Sequence, residues 1–477
     1  MARCHPCRQS TRLPGPFSPE MYRIENYEEL CNDISKLLLS GDLSDVTIML
    51  YDKKCFAHKV ILAARSGYFR KYFSENPDCC DVDMGACPSS SFKHILGYVY
   101  SGRMELEDQP RERAVEMKFL LKKYEIDSDF DDAFPLPDRR TRKGKEEIHW
   151  IAATVSIVQP ELFNKIVALV NSRETSSERP FDFKEHIKSY AKGNSEHLAY
   201  VNLKVSTLRA IQDLLVLNLN RPHFIDINSP ELLSLQLSTL LTDGEQTMPF
   251  DITFVVEGQK FGAHKILVIA RSLYFRTMLK STGFAESGRD EIELQDGTAA
   301  AFVCILQYMY SGRMEFNPRN IQEIIDVFCL AHLYKMDGLV ESLTKAFGIC
   351  LSSRNFVVTY ELANFYALTS LTNRCNTQIA THALRIVAGN EFLEMSANCV
   401  ETFMLTMRNH FDIQHVVNAL MRWLKANMNQ LTVFVSIINA LGLTWIKRNG
   451  TIRIITAEPL AEITVEQWDE LRQLSNT

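Results

Sequence analysis

Two histidines stand at matching places in the chain. His58 follows Phe56-Ala57 and His264 follows Gly262-Ala263, each just before a lysine and an apolar run. An imidazole could ligate a metal or move a proton, but either role needs further imidazoles, thiols or carboxylates at ligand spacing. No such set lies near either residue in sequence, so each reads as a packed histidine with one hydrogen bond. Asp45 and Asp251, with Arg65 and Arg271, also recur at one interval and could form a buried polar cluster that frames the fold. Cys4-His5-Pro6-Cys7 offers half a zinc site; structural zinc takes four ligands, and no second Cys-x-x-Cys follows. Cys79-Cys80 and Cys87 read as free thiols. Arg139-Arg140-Thr141-Arg142-Lys143-Gly144-Lys145 places five cations in seven residues. That run could serve nuclear import or phosphate binding, but Glu146 and Glu147 blunt it, and a solvated linker accounts for it too.

The sequence holds no G-x-S-x-G, no G-x-x-x-x-G-K-[ST], no H-E-x-x-H, and no G-x-G-x-x-G after a strand. Catalytic residues, a cofactor, a metal and a small-molecule ligand are therefore not expected. Length and composition are those of a multi-domain globular chain. The 477 residues suggest about three domains. With 52 Lys+Arg against 58 Asp+Glu the net charge is −6, which argues against bulk binding to a phosphate backbone. An apolar content of 46% and a charged content of 23% are ordinary for a globular chain with sizeable cores. The longest nearly apolar stretch, Thr432 to Ile446, is short of a membrane span of about 20 residues. Residues 1–17 lack the apolar centre of a signal peptide. The twelve cysteines are scattered, several in apolar helical runs (Cys304, Cys329, Cys350, Cys375, Cys399). That usage fits a reducing compartment, cytoplasmic or nuclear.

The elements that position these residues come in two copies. Asp45–Arg70 and Asp251–Arg276 share 12 of 26 positions; Phe92–Glu105 and Phe302–Glu315 share 10 of 14. A unit longer than about 100 residues is a duplicated domain rather than a solenoid repeat. Each copy predicts an amphipathic leading helix, Tyr27–Leu39 or Pro230–Leu241. In the second copy a strand pair turns at Glu257-Gly258-Gln259. A helix is expected over 266–279, a strand over Glu291–Leu294, and helices over Thr298–Tyr310 and Ile321–Tyr334. The fold class is α+β: a small sheet capped by helices.

The strand Asp251-Ile252-Thr253, the turn Phe261-Gly262-Ala263-His264-Lys265, the helix Ala270-Arg271-Ser272-Leu273-Tyr274-Phe275-Arg276 and the helix end Tyr308-Met309-Tyr310-Ser311-Gly312 together resemble the BTB/POZ domain. Their counterparts in the first copy do the same. The all-helical stretch Arg354–Asn429 resembles the BACK domain, on Glu361–Leu371, Glu391–Ser396 and Val416–Lys425. The expected organisation is a disordered tail over 1–20, a first BTB/POZ domain over 21–128, and a linker or helical region of unknown fold over 129–229. A second BTB/POZ domain over 230–345 and BACK over 346–430 follow. A hairpin at Trp445–Arg448 and Thr451–Ile454, then a helix from Thr464, close the chain over 431–477. Within 129–229, Pro160–Asn171 and Lys204–Leu219 carry helical patterns.

The resemblance implies a function. BTB/POZ domains that bind the cullin-three scaffold carry a hydrophobic–x–Glu motif in the loop after the helix that ends here at Met278 and Leu279. Phe284-Ala285-Glu286 matches it in register. Met278, Leu279, Phe284, Glu286 and Tyr310 are thus the expected cullin-facing residues, with Phe284 filling an apolar pocket and Glu286 accepting a bond beside it. Phe73-Ser74-Glu75 in the first copy falls four to six residues too early. The resemblance also implies pairing through leading helices, so Leu232, Leu233, Leu235 and Leu240 are expected to dimerise. Both a homodimer and an internal pair are open; the intact second leading helix leans toward the homodimer. The expected role is a substrate-recruiting adaptor of a cullin-RING ubiquitin ligase, its protein substrate unknown. The rival is a scaffold or transcription-linked interaction protein that acts by pairing alone.

Overall fold

The computed structural model describes residues 21–85, 87, 89–109, 117, 120–128, 223–242, 248–280, 289–427, 430–448, 451–455 and 459–464. The motifs at 4–7 and 139–145 and the helical patterns within 129–229 lie outside them. These residues form two units; the first contains most of both repeat copies, and the second the helical region after them together with Phe316–Phe328.

The first copy runs β1 (Tyr22–Glu25), α1 (Tyr27–Ser40), β2 (Val46–Met49), β3 (Lys54–Ala57), α2 (Lys59–Arg65), α3 (Gly67–Glu75), β4 (Asp81–Asp83), α4 (Ser89–Ser101) and β5 (Arg103–Gln109). The second repeats it: β6 (His223–Asn228), α5 (Pro230–Thr242), β7 (Ile252–Val256), β8 (Gln259–Ala263), α6 (Lys265–Arg271), α7 (Leu273–Lys280), β9 (Glu291–Leu294), α8 (Ala299–Ser311), β10 (Arg313–Phe316) and α9 (Ile321–Leu333). In each, the central strand pairs antiparallel with one neighbour and parallel with the other, in the orders β3-β2-β4 and β8-β7-β9. Ile252, Phe254 and Val256 turn the buried face of β7 inward, as period-two alternation requires.

The helix expected over 266–279 is two helices. Ser272 sits extended between them at φ −136°. Its hydroxyl accepts from the Phe275 N–H at 3.2 Å and donates to the Tyr334 carbonyl at 2.6 Å, capping α7 and tying it to the end of α9. Ser66 does the same in the first copy, for Phe69 and Tyr124.

The copies interlock. The leading strand of each pairs with the last strand of the other, β1 with β10 and β6 with β5. The joints are equivalent: the Asn26 N–H donates to the Gly312 carbonyl at 2.8 Å, and the Ser229 N–H to the Gly102 carbonyl at 2.9 Å. Gly312 and Gly102 are both left-handed (φ 63° and 67°), and each runs against the partner copy's backbone. Helix α1 packs on α6 and α8, α5 on α2 and α4, and α1 on α5. The sequence leaned toward pairing between two chains. Within this chain the leading helices lie against each other, which is the internal pair that the sequence also left open.

The second unit is helical. It contains α10 (Asp337–Cys350), α11 (Phe356–Phe365), α12 (Thr369–Ala388), a 3-10 turn (Glu391–Glu394), α13 (Ala397–Arg408), α14 (Ile413–Ala426) and α15 (Leu431–Ala440). Val416, Val417, Leu420, Trp423 and Leu424 form one buried stripe on α14. The Trp423 indole donates to the Met395 carbonyl at 2.9 Å. Three antiparallel strands follow, β11 (Thr444–Arg448), β12 (Thr451–Ile455) and β13 (Pro459–Thr464). Thr464, the expected start of a helix, ends β13; the rest of that expected helix lies outside the described residues.

Candidate protein-interaction site

The expected polar cluster of Asp45, Asp251, Arg65 and Arg271 does not form. The Asp45 and Asp251 carboxylates instead accept the first backbone N–H of α2 and α6, from Lys59 at 2.8 Å and Lys265 at 2.7 Å. Each thus satisfies a donor that a helix start leaves open. Each arginine instead reaches a leading helix of the other copy, Arg271 by carboxylates and Arg65 by one amide.

Arg271 is buried, and its Nη1 donates to Asp33 Oδ2 of α1 at 2.5 Å. Glu29 Oε2 lies 3.7 Å from its Nη2. The Tyr308 hydroxyl donates to Glu29 at 2.8 Å and accepts from Asn26 Nδ2 at 2.7 Å. The guanidinium lies over the Tyr308 ring, 5.2 Å from its centre. One cation of the second copy is therefore met by two carboxylates from the first copy's leading helix, while the Asn26 amide holds the Tyr308 hydroxyl beside it.

The equivalent site is built differently. Arg65, also buried, donates from Nε to the Val99 carbonyl at 3.2 Å and from Nη1 to Gln236 of α5. Gln236 in turn donates to Asp127 at 3.0 Å. Where α1 offers Glu29 and Asp33, α5 offers Leu232 and Gln236. Sequence reading missed this pairing. Its signal was an arginine present in both copies opposite helix positions that differ in charge.

His58 and His264 are interior. The His58 backbone N–H donates to the Tyr100 hydroxyl oxygen at 2.9 Å, so that hydroxyl's hydrogen points to His58 Nδ1 at 2.8 Å. Nε2 then carries the ring proton and donates to the Asp42 carbonyl at 2.8 Å. His264 repeats this with Tyr310 and, at 3.3 Å, the Met248 carbonyl. Burial holds both imidazoles below their ordinary range, hence neutral. Burial likewise raises the thiols of Cys31 and Cys399 to about 11 and Cys375 to about 12, which leaves them unreactive. Among the described residues no group of three or more His, Cys, Asp or Glu could hold a metal ion, and no helix is long and apolar enough to cross a membrane.

The sequence-predicted partner residues scatter. Met278 is buried, whereas Leu279 is half-buried beside it on α7. Lys280, the last residue of that helix, bridges to Asp42 of the first copy at 2.5 Å. Phe284 and Glu286 lie outside the described residues. Tyr310 belongs to the interior: it is fully buried and hydrogen-bonded to His264, so its ring cannot meet a partner. In the first copy Phe73 is a core residue of α3, stacked on Phe69 at 5.9 Å, and offers no exposed hydrophobe for a motif. Of the leucines on α5, Leu233 and Leu240 are buried, Leu232 is half-buried and Leu235 is 62% exposed.

Comparison with known proteins follows the same division. The BTB/POZ domain family model matches residues 34–133 and 243–347, and the model described as BTB And C-terminal Kelch (BACK) matches 356–453. BTB/POZ domain-containing protein 9 of Rattus norvegicus is 32% identical over 206 residues, 43% of this chain and 33% of that protein. Kelch repeat and BTB domain-containing protein 8 of Homo sapiens is 25% identical over 200 residues, 42% of this chain and 32% of that protein. Kelch-like protein 7 of Rattus norvegicus is 24% identical over 217 residues, 44% and 36%. The chain thus matches about a third of the length of these relatives.

Proposed function

We propose that this chain, which carries two BTB/POZ domains followed by a BACK domain, is an adaptor that brings a protein substrate to a cullin-three RING ubiquitin ligase. The observation that carries the proposal is Phe284-Ala285-Glu286, in register after α7 of the second BTB/POZ domain and directly ahead of a BACK domain. Leu279 gives α7 a partly exposed apolar residue on the approach to that motif. Phe284 supplies the apolar anchor, and Glu286 accepts a bond at its edge. Leu279 widens the contact. The first domain lacks the motif and serves as pairing partner, with the α5 leucines Leu233 and Leu240 in the joint. BTB and BACK are interaction domains, so the ubiquitin transfer belongs to the recruited ligase. The first domain, the region 129–229 or the C-terminal region 431–477 chooses the substrate, in the cytoplasm or nucleus.

The test is capture of cullin-three from cell lysate by the tagged full chain. Recovery with wild type and loss with Phe284→Ala support the adaptor. No cullin-three in either eluate favours a scaffold that works by pairing alone.

A further inference from the structure

The two pairing sites inside the chain are alike in geometry and unlike in charge, and the difference decides which copy pairs with which. We propose that Asp33 and Glu29 of α1 are the specificity residues of the pair: they select Arg271 and so make BTB pairing heterotypic, first copy with second, within one chain.

Arg271 depends on the other copy. Its Nε and Nη2 are buried without a hydrogen-bond partner among the described residues, and both neutralising carboxylates come from α1. Arg65 needs no acid from the other copy: it donates to carbonyls of its own copy and to the neutral amide of Gln236, whose other end donates to Asp127 of the first copy. Pairing between two second copies would set Arg271 against the counterparts of Asp33 and Glu29 on α5. These are Gln236 and Leu232, and neither is an acid. A buried guanidinium would lose every carboxylate that now faces it, which is among the costlier defects of an interface. The first copy loses no carboxylate on meeting α5, because Arg65 is held by carbonyls of its own copy and by the Gln236 amide rather than by an acid of the leading helix. Only the heterotypic arrangement satisfies both arginines.

Tether length then favours the pair in cis. About 100 residues join the copies, a span over which an attached partner outcompetes one at micromolar concentration. The chain is accordingly a monomer with one second-copy α7 per molecule, rather than a symmetric dimer with two.

The experiment uses the full chain. Wild type should run at the monomer mass of 54.6 kDa in light scattering across micromolar concentrations. Asp33→Arg sets two cations together and Arg271→Asp sets three acids together, so each should lower the melting temperature by on the order of 10 °C. The double variant, Asp33→Arg with Arg271→Asp, should regain at least half of that loss. Should the reversals fail to fold, the milder pair Asp33→Asn and Arg271→Met gives the same cycle: the double loss must fall well short of the sum of the singles. A wild-type mass twice the monomer, or strictly additive losses in the cycle, would overturn the proposal.

Discussion

At the scale of single residues, the repeated aspartates carry structure through backbone donors rather than through the repeated arginines. Asp251 accepts the opening N–H of α6. Losing such a contact costs about 1 kcal/mol, so Asp251→Ala should lower the urea midpoint accordingly without changing its slope. Asp45→Ala should match it. An unchanged midpoint in both would mean water replaces the carboxylate without loss. The histidines set an acid limit. In the folded chain burial keeps His58 and His264 neutral below their ordinary value of 6.5, while the unfolded chain takes up protons as the pH falls through that value. Their contribution is therefore fully present above about pH 7 and is lost progressively below pH 6.5. Melts from pH 7.5 to 5.5 should fall, and His264→Gln should fall less steeply. A wild-type melting temperature independent of pH over that range would contradict neutral, buried rings.

At the scale of elements, the long periodic segments were legible and the short exchanged ones were not. The leading helices, β7, β9 and α8 follow from apolar spacing and lie within a residue or so of their expected bounds. Strands β1 and β6 did not, because their pairing partners lie on the other copy, far away in sequence. The break at Ser272 was missed because helical spacing continues across it, and only the cap from its hydroxyl marks the boundary. The exchange joint can be tested. Gly312 is left-handed, and a Cβ there would lie 3.1 Å from both the Asn26 carbonyl oxygen and Leu30 Cβ. Gly41 is also left-handed, but a Cβ there meets nothing within 4 Å. Gly41→Ala should cost about 1–2 kcal/mol for the backbone alone. Gly312→Ala should cost measurably more in the same urea titration. Equal costs would mean that the joint yields freely.

At the scale of the whole molecule, the duplication and the domain order were legible because two dense blocks of identity repeat in sequence. Who pairs with whom was not. The leucines of α5 suit either partner equally well, and the choice is written in Asp33 and Glu29 against Gln236 and Leu232, where the copies differ. The candidate ligase site was legible only as a motif in register. The structure adds that Tyr310 is interior and that Phe73 is core, so the proposed contact set is Leu279, Phe284 and Glu286. These residues carry the central claim, and calorimetry of the purified full chain with a cullin-three N-terminal domain tests it most directly. Burying a Phe side chain contributes about 1.5–3 kcal/mol, so Phe284→Ala should weaken binding roughly ten- to a hundredfold while its thermal melt stays at the wild-type value. Wild type and a folded Phe284→Ala binding with equal affinity, or no heat of binding from wild type at all, would contradict it.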